Sequence, residues 1–541
     1  MKKRSLLKKL MFAVLMCGLT FSSNAQKINW GQKIAMSADY SPVIVGEDDK
    51  HFYSVFYHKS NFNIEKFEKG SNSRVYQQKL TLPKKQEVEK IVFAKDKFIV
   101  FMSYFDKKAD ETIIYANTYS ADNGGVLKVE QKILVIPVEK KRRRGSFGVV
   151  VADGADRLLV THDAYYKKQK KYRERFLLLN SNLEKVTERE DVIDESKVRN
   201  YSTSGFAIDG DGSFYYMKNY TDGRRNIVSY DATRDFDKWE ETIDYQKLGL
   251  PLKSFIYNMS VTTNKKKDLI FVGYYSKSEI KITGKVTTHG SFQTGVRYSL
   301  DGAFYLKIDH ISKEIVQTKL NEFSQEFKDQ FRSKSDVKKN RDGKIYDQFG
   351  ELSMYKKDDG GIIGVGEVFT GYHYISRNHE SLHYYYGDLI TISLSPDGDL
   401  QWANRIKKSQ TFGYESFGPF IFSSTGFKFL LVSHKPLDYM GYFAALGKDK
   451  FYVAYNDNAK NLQKKSDQDK LKPFKKPKEA VMSMYTIDLA TGERKKSAFF
   501  GGKDFEVTVE PNTAFQTGQN TKPIIMASRK KNFKFGIMEF E

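Results

Sequence analysis

Cysteine is all but missing from this chain. Cys17 is the single one in 541 residues, and it lies in an N-terminal apolar segment that reads as removable. A mature chain without it has no disulfide, no thiolate metal site and no cysteine nucleophile. A long secreted eukaryotic chain ordinarily carries disulfides, so their absence favours a bacterial source. Long apolar runs are scarce too. Beyond residue 21 no segment is apolar over the ~20 residues that a membrane-spanning helix needs. Neither a G-x-S-x-G nucleophile turn nor a glycine-rich phosphate loop occurs.

What the N-terminus does have is an export signal. Lys2, Lys3, Arg4, Lys8 and Lys9 form a basic start. Residues 10–21 form an apolar stretch too short to span a bilayer. Ser23-Asn24-Ala25 then supplies small residues for signal peptidase. Residues 1–25 are therefore expected to be a signal peptide, with Gln26 opening a mature domain over 26–541. Lipid attachment at Cys17 would need a small residue before it, and Met16 stands there. The expected location is the periplasm, the cell surface or the medium.

The net charge is +22, and removing the five cations of the signal leaves 22 − 5 = +17. Basic runs lie at 140–144, 167–171 and 472–478. Inside a cell they would suggest nucleic acid. None interleaves aromatics as a base-stacking platform would. For an exported protein the available polyanions are lipopolysaccharide, acidic glycans and anionic lipid head groups. The plain alternative is solvated loops that aid solubility.

Aromatics make up 14% of the chain, which suits strands. Short runs rich in Val, Ile, Phe, Tyr and Thr dominate, as at 97–102, 157–161, 269–273 and 389–394. Turns carry Asp-Gly or glycine: Asp209-Gly210, Asp301-Gly302, Asp397-Gly398 and Thr491-Gly492. A unit of four strands recurs over 87–134, 146–188, 203–243, 254–320 and 348–407. Such a repeat predicts an all-β propeller, since each unit alone leaves its faces bare. The segment Trp30-Gly31-Gln32-Lys33-Ile34 resembles Trp402-Ala403-Asn404-Arg405-Ile406, which reads as an outer strand. The C-terminus offers strands with no outer partner. The N-terminal strand is therefore expected to complete the last blade, giving eight blades, with seven as the close alternative and a pair of β-sandwiches as the rival architecture.

Two insertions break the rhythm. Leu320, Phe323, Phe327 and Phe331 recur at helical spacing, which predicts an amphipathic helical insertion near 320–342. The stretch 458–480, lysine-rich with Pro473 and Pro477, reads as a mobile surface loop.

The sharpest motif is His379-Glu380-Ser381-Leu382-His383. On a helix, H-E-x-x-H puts two imidazoles on one face to hold zinc, with the glutamate as base. Here the flanking tyrosines favour a strand, where residues four apart stand ~13 Å apart. No Gly-x-x-His continuation follows, and Glu415 has no helix to present it as a third ligand. His379 and His383 are kept as candidate metal ligands. The run Asp209-Gly210-Asp211-Gly212-Ser213 could open a calcium loop, but Tyr220 occupies the place of the bidentate glutamate, and a hairpin turn fits better. Ser395-Pro396-Asp397-Gly398 approaches a sialidase Asp-box with its glycine one place early. No cofactor is expected, with zinc or calcium as the alternatives.

The run 384–406, with Gly387-Asp388-Leu389-Ile390, Ser395-Pro396-Asp397-Gly398 and Trp402, resembles segments of uncharacterised exported proteins of Bacteroidetes. So does Phe451-Tyr452-Val453-Ala454-Tyr455-Asn456-Asp457-Asn458. The resemblance covers about the C-terminal third. It implies a propeller-like fold and export, and it carries over no catalytic residue. The expected function is non-enzymatic binding of an envelope protein or an anionic glycan, with lipopolysaccharide or membrane-surface contact as a variant and nucleic acid excluded. The alternative is a hydrolase of polysaccharide or peptide, metal-dependent through His379, Glu380 and His383.

Overall fold

The apolar runs become strands whose two faces point into two different interfaces. Leu269–Ser276 is buried at every position. Its Ile270, Val272 and Tyr274 enter one cluster, while Leu269, Phe271 and Tyr275 enter another. Side chains alternate across a strand, so a strand sandwiched between two neighbours must be apolar throughout. Outer strands have one wet face, and Lys185–Asp194 alternates accordingly.

The computed structural model describes residues 27–539 except 36–40, 59–60, 84–85, 140–143, 153, 195–200, 221–223, 245, 247, 251–253, 278–280, 287–291, 298, 333–336, 338–344, 346–348, 351, 376–378, 418–434, 465–468, 502–506, 517–521 and 530–531. The signal peptide expected over 1–25, and Gln26, lie outside the described residues. The chain is a β-propeller of eight four-stranded blades in a ring. Blades 1 to 7 run over 41–79, 87–137, 146–194, 201–242, 255–322, 353–406 and 443–501. Blade 8 contains Thr508–Phe515, Ile524–Arg529 and Asn532–Glu539. Its outer strand is the N-terminal Lys27–Trp30, with Ile28 opposite Met538 and Trp30 opposite Gly536. A Cβ on Gly536 would meet the Trp30 ring at 2.7 Å, so the closure needs glycine there. The expected eight-bladed ring, closed by the N-terminal strand, is what forms.

The core is not one mass. Eight clusters each join two adjacent blades, from Val55 with Phe98 between blades 1 and 2 round to Phe52 with Phe535 between blades 8 and 1. Closing the ring therefore buries a wedge that an open row of blades would leave wet.

The two outer-strand tryptophans face opposite ways. Trp402 turns toward blade 7, and its Nε1 donates to the Leu489 carbonyl at 3.0 Å. Trp30 packs back on blade 7 from blade 8, 5.1 Å from Phe500, and the carbonyl of its neighbour Asn29 accepts from Asn72 of blade 1 at 2.5 Å. A one-residue shift exchanges the faces of a strand.

The helical insertion needs correcting. Leu320 belongs to the outer strand Ile315–Glu322. Among the described residues a helix runs over Gln325–Asp329, capped by Ser324, whose Oγ accepts the Phe327 N–H, and Val337 is helical too. Phe323 and Phe327 do pack together at 4.7 Å, as do Phe327 and Phe331 at 5.5 Å. Three aromatics at helical spacing also fit a strand end that turns into one helical turn. The parts of the expected insertion at 333–336 and 338–342 lie outside the described residues.

Candidate functional site

Strand order gives every propeller two faces, and here they differ. One face carries the turns between first and second strands and between third and fourth strands. These are short, such as Asp48 to Lys50 and Ser395 to Asp399. The other face carries the remaining connections. In blades 5 to 7 they grow long. Blade 5 adds a hairpin of Lys281–Val286 and Phe292–Arg297 between its second and third strands. Blade 6 extends Ile362–Ile375 and His379–Leu394 far past its outer strand. Blade 7 inserts the lysine-rich segment between Lys450–Asn458 and Ala480–Asp488.

The blade 6 extension is a three-stranded arm. A register shift between Glu367 and Phe369 marks its base. Bulges of this kind re-aim a strand. Gln410–Phe417 then pairs along His379 to Tyr386. Phe369 stacks near Tyr384 at 6.0 Å and Tyr386 at 4.9 Å.

The lysine-rich segment is pinned to this arm, which corrects its reading as a mobile loop over the described part. Phe474 is completely buried, in a cluster with Tyr439 and Met440. Its N–H donates to the Ser409 carbonyl and its carbonyl accepts the Thr411 N–H, both at 2.9 Å. Asn461 holds the other side, donating to the Lys472 carbonyl at 2.8 Å and accepting the Lys472 N–H at 2.9 Å. Between arm and loop lies a cleft of about 730 Å³. His383, Tyr384, Tyr385 and Phe412 form one wall, and Pro473, Lys475, Lys476 and Pro477 the other.

Beneath the arm runs a buried polar network. The Lys408 side chain is fully buried. It pairs with Glu367, donates to Gln410 Oε1 at 3.1 Å and sits 5.5 Å over the Tyr386 ring. Burial pushes the Glu367 carboxyl up and the Lys408 ammonium down, and their mutual attraction opposes both shifts. Burial likewise raises Tyr386 to about 12. Gln410 Nε2 donates to the Asn456 carbonyl at 2.8 Å, and Asn456 Nδ2 donates to the Val509 carbonyl at 2.7 Å. Arg405 Nε donates to Asp388 Oδ2 at 2.7 Å, and the Lys408 N–H to Asp388 Oδ1 at 2.9 Å. Asp457 accepts from Asn461 at 2.6 Å and from Lys496 at 2.9 Å. Blades 6, 7 and 8 are thereby tied together at the root of the insertions. Asp388 and Asp457 stand in the two runs, 384–406 and 451–458, that the sequence alone had set apart.

The candidate metal ligands lie on the arm. His379 pairs with Phe417, and His383 with Gly413 and Tyr372. The helical geometry of H-E-x-x-H is absent, because His379–Leu394 is a strand. Four residues of strand separate the two Cα atoms by ~13 Å, so this pair cannot clasp one ion. The His383 side chain is exposed, while those of His379, Glu380 and Glu415 lie outside the described residues. Among the described residues no three His, Cys, Asp or Glu side chains gather to hold a metal. The Asp209 to Ser213 run is a turn. Asp209 accepts from Tyr215 at 3.0 Å and Thr263 at 3.1 Å, and Asp211 pairs with Lys267 at 2.6 Å. Of the basic runs, 140–143 lies outside the described residues, and Arg144 pairs with Glu87 at 3.0 Å.

A second concavity of about 950 Å³ lies in the central channel. The innermost strands of blades 6 and 7, Ser353–Lys356 and Phe443–Leu446, have four residues each and border it. Tyr355, Tyr442, Asn512 and Phe515 line it, with Lys356, Lys357 and Asp358 toward the short-turn face.

No family model matches the chain, and no curated protein matches it. Solved structures do. The Dos1 propeller is 8% identical over 94% of this chain and 95% of its own, with a TM-score of 0.42. An uncharacterised protein from Listeria monocytogenes EGD-e is 10% identical over 80% of this chain and 94% of its own, with a TM-score of 0.33. A prolyl endopeptidase is 10% identical over 92% of this chain and 54% of its own, with a TM-score of 0.39.

Proposed function

We propose that this chain is an exported, non-enzymatic recognition propeller that binds a protein or glycan partner of the cell envelope through its insertion-bearing face. The observation that supports this most is the confinement of the long insertions of blades 5 to 7 to one face, on a buried polar root. Loops on a rigid scaffold are where binding surfaces are built. Export rests on the basic, apolar and small-residue pattern of residues 1–25.

The near absence of cysteine makes the test clean. Lys460→Cys places a thiol in the blade 7 insertion, and Lys266→Cys places one in a short turn of the opposite face. Both lysines are exposed. Each variant is coupled to a bulky polyethylene glycol maleimide, and binding to envelope fragments is measured. The label at 460 is expected to abolish binding, and the label at 266 to leave it intact. Equal effects would remove the insertion face as the recognition surface. Release of reducing ends or peptides from the fragments would instead identify a hydrolase.

A further inference from the structure

We infer that the cleft between the blade 6 arm and the blade 7 loop is a binding site for acidic polysaccharide, taking a sugar ring against its aromatic wall and carboxylate or sulfate groups on Lys475 and Lys476. This deepens the proposal above and rests on the insertion face being the recognition face.

Three features of the cleft support it. The first is charge without a partner. Lys472, Lys475, Lys476 and Lys478 are all exposed, and none pairs with a carboxylate of the described residues. Several lysines elsewhere are matched, such as Lys277 with Glu322 at 2.6 Å, Lys313 with Asp231 at 3.1 Å and Lys319 with Asp399 at 2.7 Å. What marks these four is their clustering in one run, with Lys475 and Lys476 on one wall of the cleft. The second is rigidity. A basic loop that only kept the protein soluble would need no anchor, yet Phe474, directly before Lys475, is driven into a core and hydrogen-bonded on both sides. Pro473 and Pro477 fix φ around the two lysines. Ordering this loop before the ligand arrives removes that entropic cost from binding. The third is the opposite wall. Tyr385 is exposed, His383 is exposed, and Phe412 is half-buried. Aromatic faces beside a few cations suit a ring that is apolar on its faces and anionic at its rim. An anionic membrane surface would call for a broad basic plane, and here the lysines stand on one wall of a cleft.

The test uses the full mature chain and titration calorimetry with a defined oligogalacturonate. Its fully methyl-esterified form supplies the same rings without charge. Binding of the acid form is expected, at least tenfold tighter than the ester and weakening as salt rises. Lys475→Gln/Lys476→Gln is expected to lose at least tenfold, and Tyr385→Ala also to weaken binding. Lys266→Gln/Lys495→Gln, which removes the same charge elsewhere, is expected to change nothing. Melting curves of all variants should superimpose, since these residues are exposed. Equal binding of acid and ester, or no loss with the cleft lysine pair, would overturn the site. Tighter lysine-dependent binding of a polyglutamate peptide, or of phosphatidylglycerol vesicles, would overturn the glycan assignment. If the sugars fail while a label at residue 460 still blocks envelope binding, the recognition face stands and only this assignment falls. If that label has no effect, the face itself falls.

Discussion

The two faces of this propeller are built on different principles. On the short-turn face each turn between third and fourth strands reaches back to the preceding blade. Asn72 of blade 1 donates to the Asn29 carbonyl of blade 8 at 2.5 Å. Tyr76 of blade 1 donates to the Ala121 carbonyl of blade 2 at 3.0 Å. Gln131 donates to the Leu183 carbonyl at 3.2 Å, Asn321 to the Gly398 carbonyl at 2.8 Å, and Asn404 to the Gly492 carbonyl at 2.8 Å. At these five interfaces the staples are neutral, and at two others Arg189 and Arg234 donate to the turn carbonyls of Asp235 and Ile311 at 2.5 and 2.7 Å. They repeat around the ring and leave little free loop. Among the described residues the insertion face shows no such repeat. Its insertions in blades 6 and 7 stand on a local network of buried charges, while Arg144 with Glu87 and Ser299 with Asp301 order other parts of the face. A uniform face makes a rigid ring, whereas a face held by local contacts leaves each place to be specialised.

The contrast can be broken at its strongest point first. Lys408→Ala leaves Glu367 buried beside a hole. Removing one partner of a buried pair costs about 3–5 kcal/mol, so denaturant unfolding should show the largest loss of any single change discussed here. A loss below about 1 kcal/mol would mean that the root of the arm is not held by charge.

Blade 1, which carries no insertion, offers a buried carboxylate for comparison. Burial raises Glu65 to about 7, against the opposing pull of Arg74 at 3.1 Å. A folded-state value above the unfolded 4.5 means that the native protein holds the extra proton. The contribution is full below about pH 4.5 and is lost as pH rises through about 7. Glu65→Gln should therefore gain on the wild type by about 2–3 kcal/mol between pH 4.5 and 8. Thermal melts across that range check it. Parallel curves for the two proteins would show that Glu65 does not titrate there.

The staples should give the smallest effects. Asn404→Ala removes one hydrogen bond to a turn carbonyl, worth about 1 kcal/mol, and Asn321→Ala removes two, since Asn321 also accepts the Leu400 N–H at 3.0 Å. The two sit at different blade interfaces, so the double variant should lose the sum within about 0.5 kcal/mol. Strong non-additivity, measured by denaturant titration, would show that the ring transmits strain between staples.

Much of this architecture was legible in the residues. Third strands end on Asp, Asn or Ser because that side chain caps the following turn. Asp488 accepts from the Thr491 N–H at 2.9 Å, Asp309 from the Ser312 N–H at 2.7 Å, and Asn180 from the Asn182 N–H at 2.9 Å. The candidate site was less legible. Phe474 stands in a lysine-rich, proline-flanked run, and local composition outvotes one aromatic. Its burial depends on Tyr439 and Met440, more than thirty residues earlier in the chain. Lys408 and Glu367 are ordinary surface residues by type, and only their meeting makes them a pair.

By itself the sequence determined most of the strands and turns and the joining of the two ends, and it left the ring at eight blades or seven. Those follow from near-neighbour chemistry: side-chain alternation, turn residues and an orphan outer strand. The tertiary structure alone decided which face carries the insertions and which lysines are left without partners. It also decided that a polar loop is anchored by a buried phenylalanine. Each of these depends on groups far apart in the chain, and no local rule reports which distant residue fills a hole or cancels a charge.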